Sequence, residues 1–279
     1  MNFNAFKMDG LGNDFLIIDN REQKVYLNEK QIQKLSNREN GIGFDQLIYI
    51  EKEGTDLRIK YFNSNGKFAD ACGNGNRCVA KILMDEIKSD NVSFYVGDKL
   101  HDAKLISEKI ISINMGNVTY DLSKIPVSNG VNKNPIKIKV DEFNDEGYLI
   151  NIGNPHIIFL TDISDQDLKK IGPKIEKHDF FPKGINVTFV NLSKNNIRIK
   201  TWERGAGNTL CCGTAACATG HLLIQKKLSN NPVKINFPLG FIEIKKNLEE
   251  IVMTGPVSDI EKITCLLYTS PSPRDVEES

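Results

Sequence analysis

Hydrophobic and polar residues alternate along two stretches of the chain, and the elements that they predict follow the same order in both. Alternation with a period of two is typical of β-strands that bury one face. It predicts strands over residues 16–19, 46–50 and 57–62 of the first stretch and over 157–160, 187–190 and 197–202 of the second. Similar alternation over 85–120 and 229–258 predicts that each stretch ends in further strands.

Apolar residues at helical spacing follow a Cys-Gly pair in each stretch. Spacings of three and four place such residues on one face of a helix. The first stripe contains Val79, Ile82, Leu83 and Ile87, and the second contains Ala218, Leu222, Leu223 and residues 226–228. Each Cys-Gly pair is therefore predicted to lie just before, or within, the first turn of a helix.

The two stretches also match residue by residue. Residues 58–73 align without gaps on 198–213, which pairs Cys72 with Cys212 at an offset of 140 residues. Residues 12–18 resemble 153–159 at an offset of 141, and 114–118 resemble 252–257 more weakly. Collinear matches at nearly the same offset indicate a duplication. We predict an α+β fold of two homologous halves related by a pseudo-two-fold axis, over residues 1–118 and 119–262, with a terminal strand remnant and a disordered tail over 263–279.

The composition mainly excludes classes of ligand and of cellular location. The 279 residues carry 36 basic and 36 acidic side chains, so no net charge attracts nucleic acid or an anionic membrane. No apolar run reaches the roughly 20 residues that span a bilayer, and residues 1–7 lack the apolar core of a signal peptide. We therefore expect a cytoplasmic protein that binds a small zwitterionic molecule.

The six cysteines are predicted to be thiols, because a reducing compartment disfavours disulfides. Their spacing, and that of the four histidines, does not match a zinc site, so no metal is predicted. Four cysteines have no partner at the repeat offset and are interpreted as small buried apolar residues: Cys78, Cys211, Cys217 and Cys265. Cys72 and Cys212 remain as candidates for chemistry.

These two cysteines occupy a setting suited to proton transfer. The N-terminus of a helix carries unpaired N–H groups and a partial positive charge, which are expected to lower a cysteine pKa and to stabilise anions. If a pseudo-two-fold axis brings both helix starts to one interdomain cleft, one thiolate can remove a proton from a carbon while the opposite thiol protonates its other face. The amides of four residues are predicted to hold the carboxylate of such a substrate, and no cofactor is implied: Gly73, Asn74, Gly213 and Thr214.

Other polar residues near the predicted turns allow two interpretations. Asn13 and Asn154 follow glycines at matched positions, where they either support turns or face a ligand. His156 is either a structural histidine or a supporting proton carrier. Glu203 and Arg204 end a predicted strand, either as a surface ion pair or as partners of an ammonium and a carboxylate.

Seven motifs together resemble those of the diaminopimelate epimerase family, over nearly all of residues 1–262. They are Lys-Met-Asp-Gly-Leu-Gly-Asn-Asp-Phe (7–15), Gly-Ile-Gly-Phe-Asp-Gln (41–46), Phe-Asn-Ser-Asn-Gly (62–66), Ala-Cys-Gly-Asn-Gly-Asn-Arg-Cys (71–78), Gly-Asn-Pro-His (153–156), Trp-Glu-Arg-Gly-Ala-Gly (202–207) and Cys-Gly-Thr-Ala-Ala-Cys (212–217). The chain departs from the family pattern at Asp9, Asn65 and Ala215, the last standing where glycine usually follows the threonine.

The resemblance implies an isomerase that interconverts LL- and meso-2,6-diaminopimelate in lysine and cell-wall precursor synthesis without pyridoxal phosphate. It implies that each half is a sheet or barrel around a central helix, that the protein is a homodimer, and that Cys72 and Cys212 are the acid and base. It assigns the carboxylate-binding amides to the four residues named above and further substrate contacts to Asn13, Gln46, Asn63, Asn154, Asn186, Glu203 and Arg204.

Two alternatives share these features. A proline racemase-like enzyme would keep the fold and both cysteines without needing partners for a distal amino-acid group, and the Glu203-Arg204 pair favours diaminopimelate over it. A non-catalytic binding protein or thiol redox sensor would instead form a regulatory disulfide between Cys72 and Cys212. A requirement for reductant in activity, rather than a change in ligand affinity, distinguishes the enzyme from the sensor.

Overall fold

A computed structural model of the chain describes residues 2–69, 72–193, 196–248 and 250–266. Within these ranges, eighteen strands belong to one continuous mixed sheet, on which four α-helices and a short 3₁₀ helix pack. The predicted α+β fold is confirmed. No helix in the described part of the chain is long and apolar enough to cross a bilayer. The predicted tail after Leu266 lies outside the described residues.

The elements of the first half run from Asn2 to Asn117. They are β1 (Asn2–Gly10), β2 (Asn13–Asp19), α1 (Glu29–Ser36), β3 (Gln46–Glu53), β4 (Asp56–Asn63), β5 (Phe68–Ala69), α2 (Gly73–Ile87), β6 (Asn91–Val96), β7 (Lys99–Ser107) and β8 (Ile110–Asn117). The 3₁₀ helix, Leu122–Lys124, lies in the connection to the second half.

The second half repeats this order. Its elements are β9 (Ile136–Val140), β10 (Phe143–Asn151), β11 (Pro155–Phe159), α3 (Asp165–Glu176), β12 (Asn186–Ser193), β13 (Asn196–Glu203), β14 (Gly207–Thr209), α4 (Gly213–Gln225), β15 (Val233–Phe237), β16 (Gly240–Asn247), β17 (Glu250–Pro256) and β18 (Glu261–Leu266).

Strand pairing is the same in both halves. β2 runs parallel to β3, which pairs antiparallel with β4, and β11, β12 and β13 repeat this arrangement. β4 then runs parallel to β6, as β13 does to β15. Phe15 lies opposite Gln46 in the first half, and at the repeat offset His156 lies opposite Asn186 in the second. This shared register is the structural counterpart of the duplication in the sequence.

The last described strand completes the first half. In the second half β9 pairs antiparallel with β10, whereas in the first half β18 pairs antiparallel with β1. A further antiparallel pair, β8 with β17, joins the two halves. The domain boundary between 118 and 119 falls just after β8, and we retain it as a proposal.

The two central helices, α2 and α4, are enclosed by strands. Every residue of α2 from Gly73 to Ala80 is buried, as is every residue of α4 from Gly213 to Leu223. One apolar cluster packs around both helices and continues across the two halves. The shorter helices α1 and α3, which no pattern predicted, each cover a separate apolar cluster on the outside of their own half.

Three predicted boundaries are wrong. The apolar stripe of the second helix extends to Leu228, but α4 ends at Gln225, because Lys227 adopts a left-handed backbone conformation with φ 58°. Residues 85–87 continue α2 instead of starting a strand. The strand predicted to reach Leu160 ends at Phe159.

Replacing Gly75 by alanine is expected to destabilise the protein by about 2 kcal/mol, because overpacking a tight core costs about that much. A Cβ at Gly75 of α2 would lie 2.8 Å from Tyr61 Cε1 and 2.9 Å from Ile48 Cδ1. Urea unfolding measures the change in the free energy of unfolding. Gly130→Ala is the matched control, because a Cβ there meets nothing within 4 Å. Equal midpoints for the two variants would contradict the packing argument.

Candidate active site

The two cysteines paired by the repeat are the N-cap residues of the two central helices. Cys72 precedes α2 with φ −111° and ψ 116°, and Cys212 precedes α4 with φ −113° and ψ 109°. The predicted position of both cysteines at helix starts is confirmed. Both line one cavity of about 950 Å³ whose wall contains residues of the two halves. The cysteines thus reach a shared space from equivalent positions in the fold.

Glycine after each cysteine leaves room for close neighbours at the two helix starts. A Cβ at Gly73 would lie 2.6 Å from Met253 Cε. A Cβ at Gly213 would lie 3.2 Å from Asn74 Oδ1, so α4 begins directly against the first turn of α2. Because helix starts carry partial positive charge and unpaired N–H groups, their meeting creates a site for an anion.

The structure brings most of the predicted site residues to this cavity. Those that line it are Asn13, Gln46, Asn63, Cys72, Gly73, Asn154, Asn186, Glu203, Arg204, Cys212, Gly213 and Thr214. Asn74 and His156 do not line it; both are completely buried behind its wall. Their side chains instead contact residues that do line it, Asn74 with Asn13 and His156 with Asn154.

In the first half, the Cys72 thiol is held by a network that ends in charged groups. Cys72 Sγ donates to Asn13 Oδ1 at 3.4 Å. Asn13 Nδ2 donates to Asp45 Oδ2 at 2.9 Å, and Arg38 Nη2 donates to Asp45 Oδ1 at 2.8 Å. Since Asp45 only accepts, it fixes the Asn13 amide with its oxygen toward the thiol.

In the second half, a neutral histidine takes the corresponding place. His156 Nε2 lies 3.0 Å from Asn154 Oδ1, and Asn154 Nδ2 donates to Thr214 Oγ1 at 3.2 Å. Thr214 Oγ1 in turn lies 3.5 Å from Cys212 Sγ. Burial lowers the pKa of His156 to about 3, with the positive charge of Arg204 adding to the effect, so the imidazole stays neutral and donates through Nε2. The Thr214 hydroxyl is then left able to donate to the Cys212 sulfur.

Side chains of the strand ends form another part of the wall. Gln46 Nε2 donates to Asn63 Oδ1 at 3.0 Å, and Asn186 Oδ1 accepts from the Arg204 backbone N–H at 2.9 Å. Gln46 Oε1 is buried with no hydrogen-bond partner among the described residues. Burial raises the pKa of Glu203, while the Thr209 hydroxyl and the Cys212 thiol, which donate to this carboxylate, lower it.

The expectation of low thiol pKa values is wrong for this structure. Burial raises the pKa of Cys72 to about 11, and burial followed by the negative charge of Glu203 raises that of Cys212 well above its usual value. The backbone N–H of Gly75 donates to Cys72, and that of Ala215 donates to Cys212. These hydrogen bonds lower the two pKa values by less than burial raises them. The free-energy cost of removing a thiolate from water therefore exceeds the stabilisation that the helix N-termini provide. Both sulfurs are protonated at neutral pH as a result.

Alkylation of Cys72 in the ligand-free protein is accordingly expected to accelerate about tenfold per pH unit from pH 7 to pH 10, because only the thiolate reacts. Its raised pKa means that the reactive fraction keeps growing over this whole range. The measurement is the rate of iodoacetamide modification at each cysteine, followed by mass spectrometry, with glutathione as the reference thiol. A rate at Cys72 that levels off below pH 9 would contradict the raised pKa.

Several residues of the cavity wall were not predicted. They include Asp14, Arg38, Asp45, Ser64, Asn65, Phe68, Asn208, Thr209, Leu210 and Cys211. Asp45 lies inside one of the family-like motifs. Ile185 stands at the equivalent position of the second half, so comparison of the two halves did not mark Asp45 as a site residue. Arg38 pairs with both Asp14 and Asp45, and only the fold shows this.

Solved structures with the same fold define the class of this protein. A probable proline racemase from Agrobacterium radiobacter K84 matches with a TM-score of 0.67 and 11% identity, over 98% of this chain and 94% of that chain. A phenazine biosynthesis protein of the PhzF family from Bacillus anthracis matches with a TM-score of 0.66 and 15% identity, over 96% and 100%. A hydroxyproline epimerase from Agrobacterium vitis matches with a TM-score of 0.64 and 10% identity, over 94% and 92%. The fold of this chain is thus the one shared by these proline racemase, hydroxyproline epimerase and PhzF-family structures.

Sequence relatives specify the family within this class. The family model for diaminopimelate epimerase matches residues 5–120 and 148–260. A diaminopimelate epimerase from Pelagibacter ubique (strain HTCC1062) is 42% identical over 275 residues, covering 96% of this chain and all of the relative. One from Buchnera aphidicola subsp. Baizongia pistaciae is 38% identical over 260 residues, covering 90% and 91%. The chain belongs to the diaminopimelate epimerase family.

Proposed function

We propose that this protein interconverts LL- and meso-2,6-diaminopimelate, with Cys72 and Cys212 as the acid and base. The observation that carries the proposal is the equivalence of the two thiols, which cap equivalent helices and face one cavity. Inverting a carbon centre requires a base on one face and an acid on the other. Two copies of one structural unit supply such a pair, and membership of the family supports the substrate.

The reacting end of the substrate would bind where the two helix starts meet. The amides of Gly73 with Asn74, and of Gly213 with Thr214, would hold the α-carboxylate. When one sulfur removes the α-proton, negative charge moves onto that carboxylate, and two helix N-termini stabilise it there. The other thiol then gives its proton to the opposite face, so each turnover leaves one thiolate and one thiol. Because both sulfurs are protonated in the ligand-free protein, one thiol first releases its proton to solvent as the substrate binds, and a substrate ammonium beside the sulfurs favours the resulting thiolate.

The distal end of the substrate would bind the polar side chains at the strand ends. The guanidinium of Arg204 matches the distal carboxylate, whereas Glu203, which accepts from the Cys212 thiol, lies beside the reacting end and matches the ammonium there. Gln46 Oε1, buried and without a partner among the described residues, is a further acceptor for an ammonium. Asn63 and Asn186 would complete this end, and His156 would act only by orienting Asn154. A substrate without the distal group would leave these buried polar groups unpaired, which disfavours it strongly.

The test is epimerisation of LL-diaminopimelate in D₂O by the fully reduced protein, followed by NMR of the α-proton. We expect meso-product carrying deuterium at the inverted carbon. L-Lysine, which lacks the distal carboxylate, and L-proline, which lacks the whole distal group, are expected to react poorly. Turnover of proline without turnover of diaminopimelate would overturn the proposed substrate, and absence of exchange with every amino acid would overturn the enzymatic function.

We also propose that the protein is a cytoplasmic homodimer. The cytoplasmic location is supported by the six cysteines, all of which are free thiols. The dimer is supported by family resemblance alone. A monomeric mass in analytical ultracentrifugation at working concentration would contradict the dimer.

A further inference from the structure

Arg77 of α2 is a fully buried cation that the proposed chemistry does not use. Its residue is 0% exposed, and it is among the largest completely buried side chains of the described chain. Its acceptors among the described residues are uncharged: Asn74 Oδ1 at 3.0 Å, Pro256 O at 3.3 Å and Met253 Sδ at 3.5 Å. Burying a charge among neutral partners costs free energy. This arrangement therefore needs an explanation other than stability.

The position of the cation adds to this cost. Side chains on a helix point back toward its N-terminus, and the contact with Asn74 places the guanidinium beside the first turn of α2. Helix N-termini are partly positive, so a cation there is unfavourable. Two such helix starts, those of α2 and α4, meet at this point. An anion bound at these helix starts would therefore be stabilised by both N-termini and by Arg77.

The fold also makes room for this side chain. A Cβ at Gly255 of β17 would lie 3.1 Å from Arg77 Cζ, and a Cβ at Gly10 of β1 would lie 3.2 Å from Arg77 Nη2. Neither glycine has a positive φ. Glycine at these two positions therefore makes room for a neighbour and is not required by the backbone conformation. Together the two glycines form a slot for the guanidinium.

A chain of hydrogen bonds, each with a fixed donor and acceptor, connects Arg77 to the segments that contain Cys72 and Cys212. Arginine only donates, so Asn74 must turn its oxygen toward Arg77 and its Nδ2 away. Asn74 Nδ2 then donates to Asn13 Oδ1 at 3.4 Å and to Cys211 O at 3.2 Å. Asn13 Oδ1 is also the acceptor for the Cys72 thiol. The guanidinium thereby fixes the amide that bridges the Cys72 side and the Cys212 side of the cavity.

We propose that Arg77 is a buried positioning residue for the thiol pair and a countercharge on its Cys72 side, which locks Asn74 between the two helix starts and stabilises the carboxylate that binds there. The identity of that anion as an amino-acid carboxylate rests on the proposed function. Supporting this role, the charge of Arg77 opposes the burial that raises the pKa of Cys72 and of Cys211, whereas Glu203 adds to that rise.

The test compares Arg77→Met, which removes the charge, with Arg77→Lys, which keeps it. The readouts are the pH profile of Cys72 alkylation and the separate values of kcat and KM. We expect Arg77→Met to slow Cys72 alkylation at pH 9 about tenfold, because one neighbouring charge shifts a pKa by about one unit or more. It should also raise KM and lower kcat. Arg77→Lys is expected to restore most of the alkylation rate.

Arg58→Met, which removes an arginine that lies over Tyr95 outside the site, is the matched control and is expected to change neither readout. A folded Arg77→Met protein with an unchanged Cys72 profile would overturn the proposal, as would equal losses in Arg77→Met and Arg77→Lys. If Arg77→Met does not fold, Gly255→Ala pushes the guanidinium out of its slot while keeping the charge, and an unchanged kcat and Cys72 profile in that variant overturns the proposal equally. Alkylation needs no substrate, so failure of wild-type epimerisation refutes the proposed function separately from this inference.

Discussion

Replacing either Cys72 or Cys212 by alanine is expected to abolish epimerisation and to leave proton exchange in one epimer only. Loss of a general acid or base slows a reaction by on the order of 10³-fold. The remaining thiol faces one side of the α-carbon, so it can remove the proton of one epimer and can return a proton only to that same side. Each variant is therefore expected to incorporate deuterium without inversion, and the two variants are expected to do so in different epimers.

NMR of LL- and meso-diaminopimelate incubated separately in D₂O measures this difference. Cys217→Ala is the matched control, because Cys217 is fully buried in α4 and does not line the cavity. It is expected to epimerise at close to the wild-type rate. Exchange into the same epimer by both cysteine variants would show that the thiols do not act from opposite faces.

Replacing Glu203 by glutamine is expected to produce two changes of opposite direction. The negative charge of Glu203 adds to the burial that raises the Cys212 pKa, so its removal lowers that pKa and speeds alkylation of Cys212 at pH 8 to 9. Epimerisation is nevertheless expected to fall by about 10²-fold, because a substrate ammonium loses a charged hydrogen-bond partner worth about 3 kcal/mol.

Mass spectrometry of the modified cysteines and kcat/KM for LL-diaminopimelate give the two readouts. Glu250→Gln is a suitable control, because Glu250 is exposed and accepts a hydrogen bond from Asn114 away from the cavity. A merely destabilised protein would lose activity without selective acceleration at Cys212. Slower alkylation of Cys212 in Glu203→Gln would contradict the electrostatic argument.

The duplication could be predicted from sequence because both copies kept their spacing. An offset of 140 to 141 residues relates the cysteines, the Gly-Asn turns and the strands around them, and the strand register follows it closely. Helices α1 and α3 were not predicted, because their own sequences give a weak helical pattern. α1 has only eight residues, and α3 contains Gly172 and Pro173, both poor helix formers.

Comparison of the two halves predicted site residues at positions where their sequences match, and it predicted none at positions where the sequences differ. Asn13 and Asn154 occupy matched positions, yet charged Asp45 fixes the first and neutral His156 fixes the second. Phe15 stands at the repeat position of His156, so a comparison of the halves gives no partner for either. The direction of the thiol pKa values also depends on burial, which is a property of the assembled fold and not of a helix start.

The closing of the first half by β18 has a consequence for synthesis on the ribosome. The edge of β1 pairs with Glu261–Leu266, so the N-terminal half lacks a strand until these residues have been translated. The second half, in contrast, contains its own β9 and can pair all of its strands in order of appearance. Arrested nascent chains that end before residue 261 are thus expected to expose the edge of β1 to proteases, whereas chains in which residues 261–266 have left the ribosome are expected to protect it.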